Sequence, residues 1–208
     1  MVAAMGDTAK SIVLQRVRSA LVAAPPAPVL VARDYDHEPL HGPGDMARFV
    51  AAAADYRARV LEIAAGDIGP TVASLVSGGL VVLPADVPPR WVAGVTSVTD
   101  EPPLSTEQLE RAVAVITGCA LGIAATGTIV LDAGATQGRR ALTLIPDHHI
   151  CVVFARQIVD TVPQAFAALD PLRPLTFISG PSATSDIELQ RVEGVHGPRI
   201  LDVLVVTA

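Results

Sequence analysis

The apolar positions of this chain fall into short β-branched runs separated by segments with helical spacing. Runs at Val60–Ile63, Leu80–Leu83, Val113–Thr117, Thr128–Asp132, Ile150–Phe154, Leu175–Ser179 and Ile200–Val206 read as strands; Ala141–Leu144 is ambiguous. Ile12, Val13, Val17, Ala20 and Leu21 share one side of a helix capped at Asp7-Thr8 and running to about Ala23. Asp45 caps an Ala-rich helix to about Arg59, Asp67 one over Ile68–Val76, and Asp160 one over Val162–Leu169. Ser105-x-x-Gln108 has the form of a capping box, and Pro84–Thr99 is Pro-rich and reads as irregular. Strands alternating with helices predict an α/β fold with a mostly parallel sheet.

Length and composition narrow this further. The 208 residues fit one domain at 31–208, preceded by a helix and linker at 1–30. Half the residues are apolar but only 3% aromatic, so Val, Ile, Leu and Ala must fill the core. A net charge of −6 leaves no general basic surface to neutralise phosphates, which argues against nucleic-acid binding. Lys10 is the chain's one lysine and has no glycine loop before it, which removes a Walker-type phosphate loop. Any anion is therefore held by arginine, hydroxyls or backbone N–H groups. Cys119 and Cys151 are too few and too far apart for a zinc or iron–sulfur site, and read as buried thiols in a reducing compartment.

Ala112–Leu131 carries no charge and is long enough to span a bilayer. Its Thr, Gly and Ala content and the turn-like Thr126-Gly127-Thr128 predict buried strands instead of a membrane span. The first residues lack a basic region, and the apolar stretch from Ile12 is broken by Gln15, Arg16 and Arg18. No signal peptide is legible there, and a cytoplasmic location is expected.

Four constellations carry candidate chemistry. Leu175–Ser179 runs into Gly180-Pro181-Ser182-Ala183-Thr184-Ser185-Asp186, an apolar strand followed by small hydroxyl-bearing residues and a helix start. Ligands of open α/β sheets bind outside the carboxyl ends of strands, so this loop is a candidate anion cradle, or else an ordinary capped turn. Thr126-Gly127-Thr128 leads into a strand ending at Asp132, followed by Arg139 and Arg140, which suit a carboxylate or phosphate or else form surface salt bridges. Asp147-His148-His149 precedes a strand, where neighbouring side chains face opposite ways, so at most one histidine serves any site. Gly194-Val195-His196-Gly197 suits a tight loop presenting an imidazole. Asp34, Asp36, His37, Glu38, His41 and Asp45 are metal-like by type, but Pro39, Gly42 and Pro43 prevent helical alignment, and no metal site is expected.

Taken in order, these segments resemble the LUD domain of the lactate-utilization protein C (LutC) family. The matching stretches are Val31–Tyr35, Gly122–Asp132, Gly138–His149, Ile178–Glu188 and Gly194–Arg199. The resemblance implies a three-layer α/β/α fold of the NagB/RpiA/CoA-transferase-like kind, related also to 5-formyltetrahydrofolate cyclo-ligase. It implies a part in oxidising L-lactate to pyruvate beside iron–sulfur partner proteins, with no cofactor bound by this chain alone. The family commonly has Glu before Thr-Gly-Thr, where this chain has Ala125.

The expected site takes Thr126, Gly127, Thr128, Arg139, Arg140, Ser179, Gly180, Ser182, Thr184 and Asp186 as binding residues for a small carboxylate or anionic cofactor. His196 and Asp132 are its catalytic candidates. Two alternatives stand beside this: a nucleotide-binding enzyme like the cyclo-ligase, disfavoured by the missing lysine, and a non-catalytic assembly protein for the iron–sulfur partners.

Overall fold

A computed structural model describes residues 3–23, 30–32, 44–76, 78–181 and 197–207. The chain divides into two units, residues 1–35 and 36–208. The described helix of the first, α1 (Ala3–Ala23), starts before the expected Asp7-Thr8 cap.

The second unit is mixed α/β. Its strands are β1 (Arg59–Ala64), β2 (Val81–Leu83), β3 (Ser97–Thr99), β4 (Ala114–Thr117), β5 (Leu121–Ile123), β6 (Thr128–Leu131), β7 (His148–Phe154), β8 (Ile158–Val159), β9 (Thr176–Ile178) and β10 (Ile200–Thr207). Its helices are α2 (Met46–Asp55), α3 (Ile68–Leu75), α4 (Thr106–Glu110) and α5 (Val162–Ala168). Six strands form an all-parallel sheet in the order β1-β10-β7-β4-β2-β3, flanked by helices as an α/β/α arrangement requires. The other four form a second sheet, β8-β5-β6-β9, which the chain's periodicity did not announce.

Strand alternation gives the large sheet two apolar faces. Ile116, Ile150, Val152 and Leu204 meet Ile68 and Val72 of α3 and Trp91 on one face. Cys151, Val153, Val203 and Val205 meet Phe49 and Ala53 of α2 and Ile129 and Leu131 of the small sheet on the other. α5 covers the outside of the small sheet through Ala165, over Ile123 and Val130. Each fully buried Ile, Leu or Val contributes about 1.5–3 kcal/mol of transfer free energy, which is how a core with few aromatics holds.

Local signals fix the helix starts. Asp45 accepts from the Arg48 N–H, and the Ser105–Gln108 capping box is complete. Two expectations change. Asp67 makes no side-chain cap bond. Thr161 caps α5 in a box with Gln164, while the Asp160 carboxylate reaches back to the Asp45 N–H at 2.8 Å and ties α2 to the small sheet. Ala141–Leu144 is a 3-10 turn at Arg140–Thr143, and the irregular Pro84–Thr99 ends in the edge strand β3. The uncharged Ala112–Leu131 becomes β4, β5 and β6, and no described helix is long and apolar enough to cross a membrane.

Candidate functional site

Two loops predicted separately meet in the small sheet. β6 and β9 run antiparallel with Ile129 opposite Ile178, so the next residues, Thr128 and Ser179, come face to face. Their hydroxyl oxygens are 2.8 Å apart, and Thr126 Oγ1 extends the chain of hydroxyls at 2.7 Å from Thr128 Oγ1. Both glycines act by close approach. Gly127 (φ 59°) turns the β5–β6 hairpin against the Ala52–Ala53 backbone, and Gly180 (φ 82°) sits against the Tyr56 carbonyl. The last turn of α2 thus buttresses both loops.

Ser179 and Gly180 open onto a cavity of about 80 Å³ shared with Arg140, Thr143 and His149 and floored by Leu201. His149 is 1% exposed, and its Nε2 lies 2.8 Å from Thr117 Oγ1. Burial first, then the nearby His148 and Arg140, hold its pKa down at about 3, so the ring is neutral at physiological pH. Arg140 donates to Thr143 Oγ1 at 2.6 Å and to the Thr143 carbonyl at 3.2 Å. Among the described residues it has no carboxylate partner, and partial burial lowers its pKa although much of the side chain stays exposed. An arginine so placed, beside a neutral imidazole and a hydroxyl, can hold one small carboxylate through a bidentate contact.

The other expected residues separate from this cavity. Arg139, the tandem partner, forks onto Asp100 at 2.6 and 2.9 Å and onto the Leu104 carbonyl at 2.7 Å, pinning a loop. Asp132 accepts from the Gly134 N–H and from Gln137 Nε2, pairs with Arg173 at 3.1 Å, and lines a different cavity. Ser182, Thr184, Asp186 and His196 lie outside the described residues, as do Arg33–Glu38 and His41. Pro181 and Gly197, the described residues next to that stretch, both line the cavity with Arg140.

The geometry also moves the site within the fold. The cavity lies by the amino ends of β7 and β10, at His149 and Leu201, not outside the carboxyl ends of the parallel strands. The Ser-Gly-Pro loop leaves a strand of the second sheet, so the rule for open parallel sheets does not govern it.

Two contributors were missed, Thr117 and Thr143, and of the His148–His149 pair it is His149 that reaches the cavity. The alternation of buried positions through Ile150 and Cys151 carries the signal for His149. It places His149 on the Cys151 face and His148 on the Ile150 face. There His148 Nε2 meets Asp202 at 2.6 Å, and Arg59 forks onto the same carboxylate at 2.6 Å. Burial opposes ionisation of Asp202, but those two partners outweigh it and hold its pKa below the usual range.

Comparison with known proteins agrees with this reading of the fold. Residues 97–206 match the model of the LUD domain. The chain is 52% identical to a lactate utilization protein C of Deinococcus radiodurans over 73% of this chain and 74% of that one. It is 33% identical to a lactate utilization protein C of Geobacillus kaustophilus, over 62% and 63%. A crystal structure of a DUF162 family protein from Deinococcus radiodurans superposes with a TM-score of 0.66 at 44% identity, covering 77% of this chain and 95% of that chain. The chain therefore belongs to the LUD domain family, with relatives named lactate utilization protein C.

Proposed function

We propose that this chain is the LutC-like subunit of an L-lactate-oxidising system, and that the cavity at Arg140, His149 and Ser179 takes the small carboxylate. The observation that carries this is Arg140, partly desolvated and without an acidic partner among the described residues, sharing about 80 Å³ with a neutral imidazole. That space equals roughly three waters at about 30 Å³ each, so it suits a ligand of a few heavy atoms. Arg140 pairs the carboxylate, Ser179 donates a hydrogen bond, and the neutral His149 orients the 2-hydroxyl. His196, next in sequence to the cavity residue Gly197, is the proton carrier in this reading.

Oxidation of lactate to pyruvate releases two electrons and two protons. Cys119 and Cys151 cannot make the ligand set of an iron–sulfur cluster, so the electrons leave through clusters on partner proteins. Deleting the gene is expected to abolish growth on L-lactate as sole carbon source; normal growth contradicts the proposal. Alanine replacement of Ser182, Thr184 and His196 is expected to lower lactate oxidation. Unchanged oxidation with the partner complex intact assigns the chain to assembly instead.

A further inference from the structure

The second and larger cavity lies where the topology of the parallel sheet reverses. From β2 the chain moves outward to β3, then returns to β4 on the other side of β2 and continues away through β7 and β10. The loops after β2 and β4 therefore leave in opposite directions and open a crevice at their carboxyl ends. In open α/β sheets that crevice is where ligands bind. Here it is a cavity of about 810 Å³, walled by Trp91 and Arg90 after β2, Cys119 after β4, and Arg156 after β7. The size falls within the range of small-molecule and cofactor sites.

The walls are built rather than incidental. Gln157 Nε2 donates to the Cys119 carbonyl at 2.8 Å and pins the end of β7 to the loop after β4. The Thr136 N–H donates to Asp86 at 2.7 Å and the Thr136 carbonyl accepts from Gly118 at 2.8 Å, closing the side between β2 and β4. The charge is local and of the wrong sign for the chain as a whole. On a molecule of net charge −6, this cavity gathers Arg90, Arg156 and Arg173 against Asp132 and Asp170. Only Arg173 has an acidic partner among the described residues. Arg156 lies over the Phe154 ring at 4.3 Å, which holds it in place without neutralising it. Trp91 is 3% exposed, and its indole N–H has no hydrogen-bond partner among the described residues, an unusual state for a buried donor.

From this we infer that the crevice between β2 and β4 is a second binding site, for a phosphorylated ligand of nucleotide size whose phosphates lie between Arg90 and Arg156. Arginine fits because its fork matches phosphate oxygens two at a time. The chain has no lysine to share that task in either cavity. The site is independent of the small carboxylate cavity, with which it shares no residue.

The chain has one tryptophan, so Trp91 fluorescence reports the site without background from another indole. Titrating the full chain with ADP, and separately with pyrophosphate, is expected to give a saturable change in Trp91 emission with at least one probe. A response to ADP alone places part of the affinity in the ring, and a response to both places it in the phosphates. The Arg90→Ala/Arg156→Ala double variant changes two exposed side chains, and is expected to bind at least tenfold more weakly. Arg140→Ala is expected to bind ADP as the parent does, while losing the small carboxylate. No saturable change with either probe, and no heat in calorimetry, overturns the inference. So does unchanged affinity in the double variant.

Discussion

Thr128 and Ser179, 51 residues apart, place their hydroxyl oxygens 2.8 Å from each other where the β6–β9 pairing ends. Through that contact the β5–β6 hairpin sets the position of the Ser-Gly-Pro loop at the mouth of the cavity lined by Arg140 and His149. A partly buried hydrogen bond of this kind contributes about 0.5–1.5 kcal/mol. In a double-mutant cycle by denaturant unfolding, Thr128→Val and Ser179→Ala are expected to couple by that amount. Additive effects would show that the two loops are held apart from each other.

Gly127 carries a second prediction. Its φ of 59° and its approach to the Ala52–Ala53 backbone leave no place for a methyl group. Gly127→Ala is expected to destabilise the domain by about 2 kcal/mol or more, because strain and a backbone clash add to each other. Thermal unfolding measures it; a loss under about 0.5 kcal/mol would mean the hairpin can lift away from α2 freely.

Much of this was legible, and the reasons differ by element. The strand runs at 150–154 and 200–206 were plain because both lie in the middle of a parallel sheet and are apolar on both faces. β5 and β8 escaped because three and two residues are too short to show a period, and because Gly122 interrupts the first. The convergence of Thr128 with Ser179 rests on antiparallel register, which no local pattern encodes. Arg139 and Arg140 are indistinguishable in sequence. Only the 3-10 turn that begins at Arg140 sends one to Asp100 and the other to the cavity.

That division of the two arginines is itself testable. Arg139 is half-exposed but its partner Asp100 is 7% exposed, so Arg139→Ala leaves that carboxylate unpaired and is expected to cost about 1–3 kcal/mol while leaving carboxylate binding unchanged. Calorimetry with L-lactate distinguishes it from Arg140→Ala. Equal loss of binding in both variants would assign the anion to the pair.

The buried His149 predicts a particular acid response. Its pKa is about 3 when folded and near 6.5 when unfolded. Between those values the unfolded chain binds more protons, so stability falls as pH falls, by up to about 1.4 kcal/mol per pH unit from this group. Above pH 6.5 the group contributes no slope. His149→Gln is expected to show a shallower loss across that window than the parent chain, measured as the unfolding midpoint against pH. Parallel profiles for the two proteins would show that His149 does not titrate as its burial requires.

In the proposed function Arg140 holds a small carboxylate in the cavity it shares with His149 and Ser179. Thermal unfolding of the parent chain and of Arg140→Ala, with L-lactate and with pyruvate, tests it most directly. A ligand at about 100 times its dissociation constant stabilises the folded state by about 2.7 kcal/mol. For a domain of this size that raises the midpoint by about 5 °C or more. That rise is expected for the parent chain, and its loss is expected in Arg140→Ala. A parent chain that neither acid stabilises, or a rise that survives in Arg140→Ala, would contradict the proposed function.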